Sequence, residues 1–245
     1  MTSRRFLYSG LFAAIFAGAL AVKMPLALAV DLAGIPLAAE KIEGTIWNGR
    51  IEGAAYDAYP LGRVDVSARA LPLLLGRLSA HIDVDGPFLR GGSDIALRGE
   101  LITFAKAELK ADMAPLALDD AFGQPMDGFV RVATDALVLA PDGCRRGRLH
   151  LETDTLERSA KRYGGKGFSL AGEGQCEPEG GRFVLPLTGS GEEGKISVEI
   201  AVSPRGYETR TVIAPTDQKL ASALAAYGFQ RQGDQYSLVQ RGEVF

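Results

Sequence analysis

Few residues in this chain are of the types that carry out chemistry. There are two histidines, His81 and His150, and two cysteines, Cys144 and Cys176. Both histidines alternate with apolar residues, as exposed side chains of β-strands do, and neither has metal-ligand spacing to a cysteine. The sequence has no G-x-S-x-G element, no P-loop and no C-x-x-C pair. We therefore expect no enzymatic activity, no bound metal and no cofactor.

The two cysteines have a structural explanation that depends on the compartment. An even number of cysteines in an exported chain favours one bridge between Cys144 and Cys176. The chain-entropy model assigns a loop of this length about 3–4 kcal/mol of stabilisation. The alternative is a pair of buried thiols that do not interact.

The N-terminus predicts export. Arg4 and Arg5 precede an uncharged run, "FLYSGLFAAIFAGALAV", over residues 6–22. This run is close to the lower limit of about 17 residues for a membrane-spanning helix, and the two arginines should stay cytoplasmic. Cleavage at the "ALA" sequence of residues 27–29, whose first and last residues are small, is the alternative to an uncleaved anchor. The predicted divisions are a cytoplasmic N-terminus (1–5), a transmembrane anchor (6–30) and an exported β domain (31–245).

Composition and charge narrow the class of protein. Apolar residues make up 47% of the chain, which allows a sizeable core, and the 30 glycines favour strands and turns. The formal net charge is −3, with acidic and basic residues mixed along the chain. Nucleic-acid binding requires a basic surface, so the sequence argues against a nucleic-acid partner.

Alternation of apolar and polar residues predicts an antiparallel sheet. In "GRVDVSARA", Val64, Val66 and Ala68 share one face and the charged residues share the other. The segments "GRLSAHIDVDG", "GFVRVATDALVLAPDG", "GRLHLETD" and "GKISVEIAV" repeat this pattern. Such strands have one covered and one solvated face, and short glycine-containing turns favour antiparallel neighbours. The turn-rich stretch 140–147 is where the sheet could divide into two sub-sheets.

One short helix is predicted near the C-terminus, over residues 216–229. Thr216 is the expected N-cap, and Gly228 lies where a left-handed C-terminal cap would be. The apolar stretch "LPLLLGRL" is shorter and is interpreted as a connector between strands.

The chain's only tryptophan lies in "GTIWNGRIEG", residues 44–53, among three glycines. If this stretch is a strand, Trp47 shares a face with Thr45 and Gly49. Gly49 would then leave room for the indole and allow the strand to bend. We interpret Trp47 as filling the concave side of a curved sheet. The alternative is an ordinary core tryptophan with turn glycines nearby.

Several of these features together resemble one protein family. The charged N-terminus with a single apolar anchor, "EGTIWNGR" and "LGRVDVSARALPLLLGRLSAHIDVDGPFLRGG" are similar to protein N of the bacterial type II secretion system. The family has a pair of cysteines that corresponds to Cys144 and Cys176. Its G-T-[apolar]-W-x-G-[basic] motif is matched by Gly44, Thr45, Trp47, Gly49 and Arg50.

The strand pattern and the resemblance together imply a mainly β fold. The expected structure is a curved antiparallel sheet, or sheets, shaped like a groove or half-pipe, with an N-terminal transmembrane helix and one short C-terminal helix. The resemblance implies an inner-membrane-anchored periplasmic component of the secretion system. Such a component would act in protein export across the outer membrane by contacting other components of the system.

A second hypothesis is a periplasmic module that binds or handles lipid in a β-groove. The two hypotheses share a fold and differ in the state of the groove. A filled, close-packed groove favours a component that acts only through protein contacts, and an open apolar groove favours lipid.

Overall fold

The computed structural model describes residues 23–57, 59–73, 76–116, 124–177 and 181–243. The predicted cytoplasmic residues 1–5 and the apolar run 6–22 lie outside these ranges. Among the described residues, no helix combines the length and the apolarity that crossing a membrane requires.

One open antiparallel sheet of 15 strands dominates the described structure. Strand order follows chain order from β3 to β13; at one end β1 and β2 both pair with β3, and at the other β15 lies between β13 and β14. The strands are β1 Leu37–Ala38, β2 Lys41–Thr45, β3 Asn48–Tyr56, β4 Tyr59–Ala68, β5 Leu78–Asp85, β6 Leu89–Arg98, β7 Leu101–Asp112, β8 Phe129–Ala140, β9 Gly143–Thr153, β10 Leu170–Cys176, β11 Phe183–Gly191, β12 Gly194–Ser203, β13 Gly206–Pro215, β14 Gln230–Gln232 and β15 Gln235–Gly242.

Short helices connect or flank the strands. In the described part of the chain they are α1 Leu26–Ala33, α2 Ala70–Leu73, α3 Thr155–Arg162 and α4 Gln218–Ala226, with a 3-10 turn at Ala114–Leu116. The stretch "LPLLLGRL" connects β4 to β5, as predicted, and α2 begins one residue before it. The last residues of the predicted anchor, 26–30, lie in α1.

The strand register separates apolar from charged side chains. Between β4 and β5, Val64 pairs with Val84 and Val66 with Ile82; at the other end of the sheet, Ile196 pairs with Ile213. These residues define the apolar face. Arg63 and Asp85 pair on the opposite, charged face, since neighbouring residues of a strand point to opposite sides. The predicted alternation of faces is therefore confirmed.

Two clusters of buried residues lie on the apolar face. The C-terminal cluster packs Leu224 of α4 against strand residues that include Leu187 and Ile196. The N-terminal cluster packs Leu26 of α1 against Ile51 and other residues of β3 and β4. Each end of the sheet thus has one short helix covering part of its apolar face.

The predicted C-terminal helix is present, with a different start. Thr216 does not cap it: its hydroxyl donates a hydrogen bond to the backbone oxygen of Glu192, 2.7 Å away, and the helix begins two residues later. The predicted C-cap is correct, because Gly228 has φ of +83°. The N–H of Phe229 donates to the carbonyl of Leu224 at 3.1 Å, as in a Schellman motif.

Two features differ from the sequence-based expectation. The sheet continues through residues 140–147: only Pro141 and Asp142 form the turn between β8 and β9, and Ala140 pairs with Gly143 across it, so no break divides the sheet there. The sequence does not predict helix α3, because Leu156 is its only large apolar residue and one such residue does not form an apolar stripe. In the structure Leu156 is exposed. The feature of the sequence that indicates this helix is the spacing of two acid–base pairs at i,i+4, Asp154–Arg158 and Glu157–Lys161, which form ion pairs in the structure.

Candidate functional site

An open cavity of 830 Å³ lies on the apolar face near the N-terminus. We call it the N-terminal groove. Strands β3 to β6 form its floor, and α1 forms one wall. All of its lining residues are aliphatic or aromatic, and none carries a formal charge: Met24, Leu26, Ala29, Val30, Ala33, Ile35, Leu37, Ile46, Ile51, Tyr56, Tyr59, Leu61, Val64, Val66, Ala68, Leu78, Ala80, Ile82, Val84, Phe88 and Leu97.

The rim of the N-terminal groove is open to solvent. Leu26 is only 4% exposed at its base, whereas Leu78 is 44% and Leu97 is 37% exposed. Tyr56 and Tyr59 are also exposed at the rim. Isolated exposed apolar residues are ordinary, but a contiguous apolar patch of this kind usually marks a binding surface.

Gly49 has a role that differs from the predicted one. A Cβ at this position would lie 2.6 Å from Cδ2 of Leu26 and 2.7 Å from the backbone oxygen of Thr45. Gly49 therefore allows α1 to approach the sheet closely and bury Leu26. The side chain nearest to that Cβ belongs to Leu26, whereas the sequence predicted the indole of Trp47.

Trp47 lies in a hairpin turn. Strand β2 ends at Thr45 and β3 begins at Asn48, and these two residues pair with each other. The prediction of Trp47 within a strand, on the face it would share with Gly49, is therefore wrong. Gly44, the preceding glycine of the motif, has φ of +81°, a conformation that residues with a side chain rarely adopt. Trp47 itself is half-buried.

The backbone of this turn joins three parts of the chain at one end of the N-terminal groove. The N–H of Ile46 donates to the carbonyl of Met24 at 3.2 Å, and the carbonyl of Ile46 accepts from the N–H of Ala68 at 2.9 Å. All three residues line the groove. The turn that carries Trp47 is therefore fixed at the point where the N-terminal segment enters the sheet.

Arg50, the last residue of the motif, lies on the charged face. Its Nε donates to Oδ1 of Asp65 on β4 at 2.7 Å. This hydrogen bond, together with the carboxylate charge, raises the pKa of the Arg50 guanidinium. The motif thus has separate structural roles for its residues: a turn, a close helix contact and a cross-strand ion pair.

Both histidines lie on the charged face and pair with carboxylates. His81 Nδ1 is 3.0 Å from Oδ1 of Asp94, and His150 Nε2 is 3.1 Å from Oε1 of Glu152. The hydrogen bond with His150 lowers the pKa of Glu152. Within the described ranges, no group of three or more histidine, cysteine or acidic side chains is arranged to hold a metal ion.

The predicted disulfide is present at a distance from the N-terminal groove. Cys144 and Cys176 are bonded, with Cα atoms 5.4 Å apart, within the usual range for a disulfide. The bond joins the start of β9 to the end of β10, and neither cysteine lines the groove. It links two neighbouring strands in the middle of the sheet and has no direct contact with the apolar site.

Comparison with known protein families gives a match over most of the chain. A family model described as type II secretion system (T2SS), protein N, matches residues 36–239, which include every strand from β1 to β14 and most of β15. No curated protein matches the chain, and no solved structure matches it.

Proposed function

This chain belongs to the type II secretion system protein N family, and we propose that it is an inner-membrane-anchored periplasmic component that acts through contacts with other components of that system. The observation that carries the proposal is the extent of the family match, residues 36–239, which covers nearly the whole sheet. Membership of this family supports a role as a component of type II secretion. The proposal adds the membrane anchor, the periplasmic location and the contacts with other components.

Two observations support a retained anchor. The positively flanked apolar run 6–22 has the composition of a membrane segment. In addition, Leu26 is one of the most buried residues of the N-terminal cluster. Cleavage at residues 27–29 would remove Leu26 from the folded domain and leave a void above Gly49. Retention of the N-terminal segment preserves this packing.

The proposal includes curvature of the whole sheet into a half-pipe. Register shifts between β3 and β4, between β6 and β7, and between β8 and β9 support it. A β-bulge adds a residue to one strand and bends it, and bulges and glycines are the usual devices for curving a sheet. A curved open sheet would present its strand edges and its charged face to partner proteins.

The topology can be tested with reporters fused after Phe245. We expect a reporter that is active only in the periplasm to be active, and one that is active only in the cytoplasm to be inactive. The matched control replaces residues 1–22 with a cleavable signal peptide, which preserves export and removes the anchor. Cytoplasmic activity of the full-length fusion would refute the proposed placement.

The same pair of proteins tests the need for the anchor in secretion. The full-length chain should restore type II secretion in a strain that lacks this protein, and the version without an anchor should restore it poorly. Co-purification from cross-linked membranes should recover other secretion components with the full-length chain. Equal secretion by the two versions would contradict a role for the anchor.

One observation favours a second candidate function, lipid handling. The N-terminal groove is apolar and open rather than filled by side chains. This is the state of the groove that distinguishes a lipid-binding module from a component that acts only through protein contacts. The two functions are compatible, because the charged face and the apolar face are on opposite sides of the sheet.

A further inference from the structure

We propose that the N-terminal groove holds an acyl chain of a phospholipid from the membrane in which the protein is anchored. The inference rests on the proposed anchor and specifies the second candidate function: its site, its ligand and the source of that ligand. It depends on the chemistry of the lining, the dimensions of the groove and the position of the chain that precedes Lys23.

The lining restricts the ligand to an apolar one. The groove offers no charged side chain, and its polar side-chain atoms are limited to the hydroxyls of Tyr56 and Tyr59. An extended peptide segment would have to leave backbone N–H and C=O groups without partners along this surface, at a cost of several kcal/mol. A hydrocarbon chain has no such groups and gains free energy by leaving water.

The dimensions fit an acyl chain. Along β5, the lining extends from Leu78 to Val84, a length of about 20 Å at 3.4 Å per residue. The acyl chains of one leaflet are about 15 Å long, since the hydrocarbon core of a bilayer is about 30 Å thick. The cavity volume of 830 Å³ is within the range of about 300–1,000 Å³ that is usual for ligand pockets.

The chain's own N-terminal segment is not available to this site. On the proposed topology, residues 6–22 are the membrane anchor and lie within the bilayer. An apolar ligand from outside the chain, with the diameter of a hydrocarbon chain, is therefore the expected occupant.

The position of the N-terminal segment identifies the source of the ligand. Residues 6–22 end immediately before Lys23, and Met24 already lines the groove. A separation of two residues corresponds to at most about 7 Å. An anchored protein would therefore hold this end of the groove at the membrane surface. Trp47 lies in the turn bonded to Met24, and tryptophan is enriched at membrane–water interfaces.

Photo-cross-linking tests the proposal with the full-length protein in phospholipid vesicles. The probe is a phosphatidylethanolamine with a diazirine near the end of one acyl chain, and the adducts are located by peptide mass spectrometry. We expect adducts on residues of β4, β5 and β6 that line the groove, in addition to those on residues 6–22. Adducts confined to residues 6–22 would overturn the proposal.

Two groove variants make the test specific. Ala80→Trp fills the floor of the groove, and the double variant Leu78→Asn with Leu97→Asn makes its exposed rim polar. Each should reduce groove adducts at least about fivefold, since apolar contact with the chain is lost. The matched control is Leu101→Asn with Leu156→Asn, because these leucines are 39% and 41% exposed and neither lines the groove. Adducts should be unchanged in the control.

The folding of each variant is measured separately by thermal unfolding. The exposed rim positions keep the test valid if Ala80→Trp does not fold. Undiminished groove adducts in the folded rim variant would overturn the acyl-chain site. The topology reporters provide an independent readout: wrong topology would refute the anchor, whereas correct topology without groove adducts would refute only the lipid site.

Discussion

The contact between Gly49 and Leu26 makes a quantitative prediction. In Gly49→Ala, the new Cβ would lie 2.6 Å from Leu26 Cδ2 and 2.7 Å from the Thr45 carbonyl oxygen. Carbon atoms in contact are normally about 3.5–4.0 Å apart, so α1 would have to move by roughly 1 Å. Overpacking of this kind costs about 1–3 kcal/mol. Alanine also restricts the unfolded chain, which offsets about 0.4–1 kcal/mol. We expect a net loss of about 1–2 kcal/mol in the free energy of unfolding.

A double-mutant cycle isolates the helix contact from the carbonyl contact. Leu26→Ala alone should cost about 2–5 kcal/mol, because Leu26 is buried. In that background Cδ2 is absent, so Gly49→Ala should cost less than it does in the wild type. The coupling between the two substitutions should be at least about 0.5 kcal/mol.

Denaturant unfolding of the full-length protein in detergent measures each corner of the cycle. The fluorescence of Trp47 is a suitable signal, because it is the only tryptophan and lies in the turn two residues from Gly49. The control is Gly191→Ala, whose Cβ would be 3.2 Å from its nearest neighbour, Gly167 O. Additive effects of Leu26→Ala and Gly49→Ala would refute the close contact, and so would an unchanged stability of Gly49→Ala.

Three further predictions concern other parts of the chain. Joint replacement of Cys144 and Cys176 by serine should lower the free energy of unfolding by about 3–4 kcal/mol; equal stability of the oxidised wild type and the double variant would contradict a stabilising bond. Trp47→Ala should cost about 1–2 kcal/mol, less than the 3–5 typical of a buried aromatic residue, because Trp47 is half-buried in a turn; a loss in the higher range by thermal or denaturant unfolding would place the indole in the core. Hydrogen bonds from Lys161 and Ser169 lower the pKa of Glu157 in the folded protein. The ionised Glu157 therefore stabilises the fold at pH above its unfolded pKa, and this stabilisation is lost as pH falls through the lower folded pKa. In Lys161→Met, NMR titration should show the pKa of Glu157 rising towards its ordinary value, and an unchanged pKa would exclude the pairing with Lys161.

Local patterns in the sequence determined the type of structure and the two faces of the sheet. Val64, Val66 and Ile82 alternate with charged residues, and a strand places alternate residues on opposite sides whatever it packs against. The sequence predicts Gly228 as a helix cap because the role of this residue depends only on backbone conformation. The bridge between Cys144 and Cys176 can also be predicted from the sequence, since two cysteines in an exported chain allow only one intramolecular bridge. The motif around Trp47 indicates the family but does not indicate that Trp47 lies in a hairpin turn.

Only the tertiary structure decided how the apolar face is covered. The period-two pattern predicts that Val64 and Ile82 face away from water, but it contains no information on which segment packs over them. That segment is α1, which precedes the sheet in sequence and touches it through Leu26 and Gly49. Because α1 is only eight residues long, it covers part of the face and leaves the N-terminal groove open. The placement of Trp47 in a turn likewise depends on Thr45 pairing with Asn48, a choice of register that alternation alone does not specify.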